Sequence, residues 1–177
     1  ILAMLAIKEA GHEYQCISVN KNQHHVVNHT NGEEMNESRN MLVEAARIAR
    51  GDVLDITEVE PVDIDALVIP GGFGSAKNFS KWAFEGPDGG IEDAVKLLIV
   101  NMINVGKPVC ALCVSPVVVA KALEGSAIQA KMTLGSDQES SPYDIPGFNG
   151  GIEAVGAKAE MKTIREVLVD AENKIVT

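Results

Sequence analysis

The stretch Val109-Cys110-Ala111-Leu112-Cys113-Val114-Ser115-Pro116 decides how the rest of the chain is read. It follows a helix stop signal, Gly106-Lys107-Pro108, and leads into the apolar run Val117-Val118-Val119-Ala120, which continues through Leu123 to Gly125. The pattern is strand, sharp turn, helix. A turn that lifts a nucleophile between a strand and a helix needs small residues two before and two after it, because larger side chains would collide across the bend. Around Cys113 those positions hold Ala111 and Ser115. Pro116 falls in the first helical turn, where its missing N–H costs no hydrogen bond and its fixed φ suits the helix. The unpaired N–H groups and the positive dipole end at a helix start favour thiolate over thiol. Cys113 is therefore the candidate nucleophile, with a buried structural cysteine as the competing reading.

Upstream, Asp65-Ala66-Leu67-Val68-Ile69 is a continuous apolar run of the kind expected for a parallel strand buried on both faces. It ends at Pro70-Gly71-Gly72-Phe73-Gly74. Glycines at a strand's C-terminal end let the backbone turn with positive φ and bring its N–H groups close to a ligand. In a parallel α/β sheet that edge is where ligands bind, and Cys113 lies at the same edge of its own strand. The glycine spacing is not the dinucleotide fingerprint, which needs three glycines at wider spacing before a long helix. A plain tight turn is the alternative.

The remaining pattern alternates helix and strand. Helices are predicted over Ile1 to Ala10, Glu37 to Arg50 with Leu42, Ala45, Ala46 and Ala49 on one face, and Ile91 to Val105 with a stripe of Ile91, Ala94, Val95, Leu98, Met102 and Val105. Strands are predicted over Tyr14 to Val19, Val53 to Ile56, Lys131 to Gly135, and on both sides of the turn Ala171-Glu172-Asn173. Ser140 to Gly151, with two prolines and three glycines, reads as an irregular loop, and Ile152 to Glu160 as a short helix. The chain opens inside a helix pattern at Ile1 and stops inside a strand pattern at Thr177. The alternation therefore predicts one domain, 1–177, with a first strand and a C-terminal segment missing from it.

With 15 basic and 25 acidic residues the net charge is −10, which disfavours nucleic-acid and anionic-membrane partners. No apolar run approaches a membrane span. Three cysteines without regular spacing argue for a reducing compartment, cytoplasm or organelle matrix. His24, His25 and His29 cluster in a polar loop, but no cysteine or carboxylate stands at ligand spacing beside them, so no metal is expected.

Taken together, Val68 to Asn78, Gly106-Lys107-Pro108 with Cys113 in an elbow, Gly135-Ser136-Asp137 and Asp170 to Thr177 resemble the enhancing-lycopene-biosynthesis (ElbB-like) branch of the PfpI and class I glutamine amidotransferase-like superfamily. Asn28 to Ile48, with Gly32-Glu33-Glu34-Met35 and Glu37-Ser38-Arg39-Asn40, resembles that branch in particular. The resemblance implies a flavodoxin-like three-layer α/β sandwich, a mostly parallel sheet with helices on both faces, and Cys113 in a nucleophile elbow. It implies an oxyanion and substrate site from Gly71, Gly72, Phe73 and Val114, with Asn78, Ser115 and Asp137 as pocket wall, no cofactor, and a homodimer. It also implies a glutamate from the first strand-helix junction, ahead of Ile1.

One departure bears on function. Amidotransferases and proteases of this superfamily use a histidine after the nucleophile, whereas His12, His24, His25 and His29 all precede Cys113, and Val114 stands where the protease branch has histidine. Without an imidazole to hand a proton to a leaving amine, amide hydrolysis is disfavoured. The resemblance implies instead a glyoxalase-type lyase, in which Cys113 adds to a small α-oxoaldehyde and a hydroxy acid is released without glutathione. The alternative is a non-enzymatic redox-responsive or chaperone-like factor that uses Cys113 as an oxidisable thiol, with Cys16 and Cys110 as inert core residues.

Overall fold

The computed structural model describes all residues, Ile1–Thr177, and its contacts divide them into two compact units, Ile1–Glu60 and Pro61–Thr177. In the first unit, helix α1 (Leu2–Glu9) precedes strand β1 (Cys16–Ser18). Strands β2 (Val27–Asn28) and β3 (Glu33–Glu34) form an antiparallel hairpin where the sequence reads as polar loop. Its turn is held by Asn28, whose carbonyl accepts from Gly32 N–H at 2.7 Å and whose side chain accepts from Thr30 Oγ1 at 2.7 Å. Helix α2 (Met41–Ala49) starts four residues later than the sequence suggests, because Asn40 stops the chain first: its side chain accepts the Val43 N–H at 3.1 Å, an N-cap. Leu42, Ala45, Ala46 and Ala49 are assigned to its inner face by their spacing, and all four are half-buried. Strand β4 (Val53–Asp55) pairs in parallel with β1, Cys16 against Val53 and Ser18 against Asp55.

The second unit holds the larger sheet. Strand β5 (Leu67–Ile69) leads to the short helices α3 (Phe73–Asn78) and α4 (Trp82–Glu85), then to the long helix α5 (Asp93–Asn104). The buried stripe of α5 is Val95, Leu98, Ile99, Met102 and Ile103; Val105, expected inside, caps the helix and is 56% exposed. Strand β6 (Val109–Ala111) feeds helix α6 (Pro116–Leu123), every residue of which is buried. Strand β7 (Lys131–Met132) is followed by helix α7 (Ile145–Ala154) and strand β8 (Lys158–Ala159), parallel to β7. Finally β9 (Val169–Asp170) and β10 (Ile175–Val176) form the hairpin read from the sequence. The strand order is β5-β6-β10-β9, parallel except for β9. One face of this sheet, Leu67, Ile69, Val109, Ala111 and Ile175, is fully buried against the helical core.

Two expectations are corrected here. Ser140 to Gly151 is not wholly irregular, and Ile152 to Glu160 is not a helix: α7 begins at Ile145, inside the supposed loop, and Lys158–Ala159 is a strand. Pro146 lies in the first turn of α7, where no N–H is needed, and Asp144 caps it by accepting the Gly147 N–H at 3.0 Å. Gly151 is required by packing, since a Cβ there would lie 2.7 Å from Trp82 Cζ2. The α/β class with parallel strands stands as expected from the sequence. No helix is long and apolar enough to cross a membrane.

Candidate functional site

β5 and β6 run side by side, Leu67 against Val109 and Ile69 against Ala111, and their pairing is extended by Leu112 N–H donating to the Ile69 carbonyl at 3.0 Å. The two chains leave the sheet together. One enters Pro70-Gly71-Gly72, the other bends at Cys113 into α6. Cys113 has φ 57°, a left-handed conformation that is uncommon for a residue with a Cβ. Its bend is closed by the Ser115 N–H donating to the Leu112 carbonyl at 3.0 Å. Cys113 is exposed, which excludes the buried structural cysteine.

Gly71 stands directly over this bend. A Cβ on Gly71 would fall 2.2 Å from Cys113 Cβ, 2.8 Å from the Leu112 carbonyl oxygen and 3.1 Å from Cys113 Sγ, so only glycine fits. Gly72, at φ 104°, then turns the chain into α3 in a conformation open to glycine alone at little strain. The N–H groups of Gly72 and Val114 donate to no backbone carbonyl. Val114 is itself buried, and Phe73, 49% exposed, forms the outer lip of the turn.

Ser115, expected as pocket wall, is fully buried and faces inward: its hydroxyl lies 3.1 Å from the Pro70 carbonyl oxygen and 3.3 Å from Ser75 Oγ. Ser75 in turn donates to the Gly72 carbonyl at 2.8 Å. Sequence reasoning does not single out Ser75. Its signal is a serine three residues after a turn glycine at a helix start, the position from which a hydroxyl bonds back to the carbonyl three before it. Asn78 lies at the end of α3, half-buried, donating to the Gly74 carbonyl at 2.9 Å. Asp137 is exposed in the segment after β7 and makes no hydrogen bond or ion pair with the elbow. Lys107 of the stop signal ties loop to sheet, its ammonium donating to the carbonyls of Pro61, at 2.6 Å, and Ile64.

The other two cysteines differ. Cys110 on β6, opposite Val68 and Val176, is half-buried rather than core, and burial pushes its thiol up from its ordinary value. Cys16 on β1 is also half-buried and shifted up, first by burial and then by the Asp52 carboxylate. In the first unit, His25 faces Glu34 across the hairpin at 3.7 Å.

An exposed thiol at a left-handed elbow, overlain by a glycine turn at the C-terminal edge of a parallel sheet, is equipped to add to a carbonyl and to hold the resulting oxyanion by backbone N–H groups. That defines a cysteine-elbow α/β protein. The chain belongs to the DJ-1/PfpI family, whose model matches residues 1–136. It is 38% identical over 176 residues to the glutamine amidotransferase-like class 1 domain-containing protein 3, mitochondrial, of Homo sapiens, a match covering 98% of this chain and 64% of that one. It is 35% identical over 176 residues to the ES1 protein homolog, mitochondrial, of Rattus norvegicus, covering 98% and 65%. The chain thus spans just under two thirds of the length of these relatives. Among solved structures, an isoprenoid biosynthesis protein with an amidotransferase-like domain from Ehrlichia chaffeensis matches with TM-score 0.85 and 38% identity, covering 99% of this chain and 75% of that one.

Proposed function

We propose that this chain is a glyoxalase-type lyase of the ElbB-like branch, converting small α-oxoaldehydes such as methylglyoxal to hydroxy acids without glutathione. The observation that carries the reading is the exposed Cys113 bent beneath Gly71, with the N–H groups of Gly72 and Val114 unengaged. In the reaction, Cys113 Sγ bonds to the aldehyde carbon and the carbonyl oxygen becomes a hydroxyl, giving a hemithioacetal. A base moves the proton from that carbon to the neighbouring carbonyl carbon, and the proton of the new hydroxyl passes to the neighbouring oxygen, leaving a 2-hydroxy thioester. Water then cleaves the C–S bond, releasing the hydroxy acid and the thiol, so that one aldehyde and one water give one acid. By family resemblance the base is a glutamate from the first strand-helix junction of the fold. The same resemblance supports a single 1–177 domain and a homodimer. The compartment in the names of the human and rat relatives supports an organelle matrix, and the Ehrlichia neighbour's description supports a connection with isoprenoid biosynthesis.

The test is turnover of methylglyoxal followed by lactate formation without added thiol. Cys113→Ala is expected to reduce it to background; unchanged turnover would overturn the reading. A second reading, a redox-responsive factor, is favoured by one contrast: Cys113 is exposed, whereas Cys16 and Cys110 are half-buried with thiols pushed up. Peptide mass spectrometry after mild peroxide should then find oxidation at Cys113 well ahead of the other two, in protein that shows no turnover.

A further inference from the structure

The strands β5 and β6 part at the sheet edge, yet the two loops that continue them are joined again by a pair of serines hidden beneath the surface. Ser115 is 0% and Ser75 5% exposed. A hydroxyl carries one proton and two acceptor lone pairs, which fixes how the pair is wired. Ser75 commits its proton to the Gly72 carbonyl at 2.8 Å, leaving its oxygen free to accept. Ser115 then shares its proton between the Pro70 carbonyl at 3.1 Å and Ser75 Oγ at 3.3 Å. The carbonyls of Pro70 and Gly72, on either side of Gly71, are therefore both held from below.

Each peptide unit is planar and trans, so a fixed carbonyl fixes the N–H on the other side of the same plane. Holding the Pro70 carbonyl sets the Gly71 N–H, and holding the Gly72 carbonyl sets the Phe73 N–H, both directed away from the serines. The Gly71–Gly72 peptide lies between these two clamped planes and carries the Gly72 N–H. Ser115 also belongs to the elbow, two residues after Cys113 and next to Val114. A single buried hydroxyl thus spans from the elbow that holds the nucleophile to the turn that covers it.

We infer that Ser75 and Ser115 are positioning residues, a buried clamp that sets the Gly71–Phe73 backbone N–H groups against Cys113. The inference rests on the carbonyl chemistry proposed above for its catalytic consequence, but not for the clamp itself. Neither serine touches substrate; they act through the glycine turn. Glycine at two successive positions leaves that turn with little stiffness of its own; the Ser75 N–H, which also donates to the Gly72 carbonyl at 3.0 Å, holds one end of it, and the two hydroxyls supply the rest.

Two measurements on the full chain test this. In steady-state turnover of methylglyoxal, Ser115→Ala and Ser75→Ala should each lower kcat on the order of tenfold with little change in KM, since N–H groups aimed at an oxyanion act chiefly in the transition state. The double variant should be hardly worse than the more damaging single one. In hydrogen exchange followed by mass spectrometry, the segment from Ile69 to Phe79 should exchange about tenfold faster in each variant while α5 keeps its protection. Ser115→Thr, which retains the hydroxyl, should restore most of kcat even where Tm falls. Variants with lowered Tm but wild-type kcat would overturn the positioning role. Should wild-type protein and Cys113→Ala both prove inert, the carbonyl reading fails and exchange alone judges the clamp; unchanged exchange at Ile69 to Phe79 would then overturn it.

Discussion

Two turns of the same sheet place a non-glycine residue in the left-handed region, Cys113 with φ 57° after β6 and Lys174 with φ 55° before β10. Around Lys174 the strong polar groups are tied. Its ammonium donates to the Gly106 carbonyl at 2.6 Å. The buried Asp170 at the other end of that turn accepts from Lys131 N–H at 2.8 Å, from Asn173 N–H at 3.3 Å and from Asn173 Nδ2 at 2.8 Å. Around Cys113 the ties are to the serines below, while the thiol faces solvent and nearby N–H groups are left unengaged. Similar backbone strain, of order 1–2 kcal/mol, thus serves closure at one turn and presentation at the other. Left-handed geometry by itself does not mark a site; unsatisfied donors beside it do.

The largest effect should come from Gly71→Ala. The added carbon would meet the Leu112 carbonyl and Cys113 Cβ, neither the far end of a flexible side chain. Loss of more than about 2 kcal/mol in urea unfolding and abolition of methylglyoxal turnover are expected; a stable, active variant would show that the turn does not lie over the elbow.

Next in size is Asp170→Asn. Burial alone would raise the Asp170 pKa, but hydrogen bonds from the Asn173 side chain, the Lys131 N–H and the Asn173 and Glu172 N–H groups outweigh it and hold the carboxyl below its usual range. The unfolded chain, with an aspartate pKa of roughly 3.9, binds more protons as pH falls through that value. The stability Asp170 contributes is therefore complete above the unfolded pKa and is lost below it, toward the depressed folded pKa. Asp170→Asn should cost about 2–3 kcal/mol at pH 7, and the gap from wild type should narrow at about pH 3. A gap independent of pH would show that the carboxylate charge is not what the turn uses.

The smallest and most discriminating change is a matched pair of glycine substitutions. Cys113→Gly relieves strain and removes an exposed side chain, so it should stabilise by about 1 kcal/mol while ending turnover. Lys174→Gly relieves the same strain but loses the bond to Gly106, so its net effect should stay within about 0.5 kcal/mol of zero. Equal effects at both positions, read by thermal or urea unfolding, would erase the distinction between the two turns.

The elbow is legible in the sequence because its constraints are local: Ala111 and Ser115 flank Cys113 closely, and Pro116 marks the helix start. The Asp170–Thr177 hairpin is legible for the same reason. What escapes depends on partners distant in sequence. Gly150 and Gly151 read as breakers until Trp82 is seen against Gly151. Ser75 looks like any polar residue until Ser115, 40 residues later, lies opposite it. The hairpin strand Val27–Asn28 reads as loop because two residues are too few to show alternation.

The burial of helix α6 also constrains motion around the thiol. All eight of its residues are buried, Lys121 included, whose ammonium reaches the Pro87 carbonyl at 2.6 Å and Glu124 at 2.7 Å. It is packed by α3, α5 and α7. A rod so enclosed cannot slide or tilt without disturbing three neighbours at once, so the thiol at its start has a fixed seat. The glycine turn opposite has no such packing of its own and owes its position to the hydrogen bonds from Ser75 and Ser115.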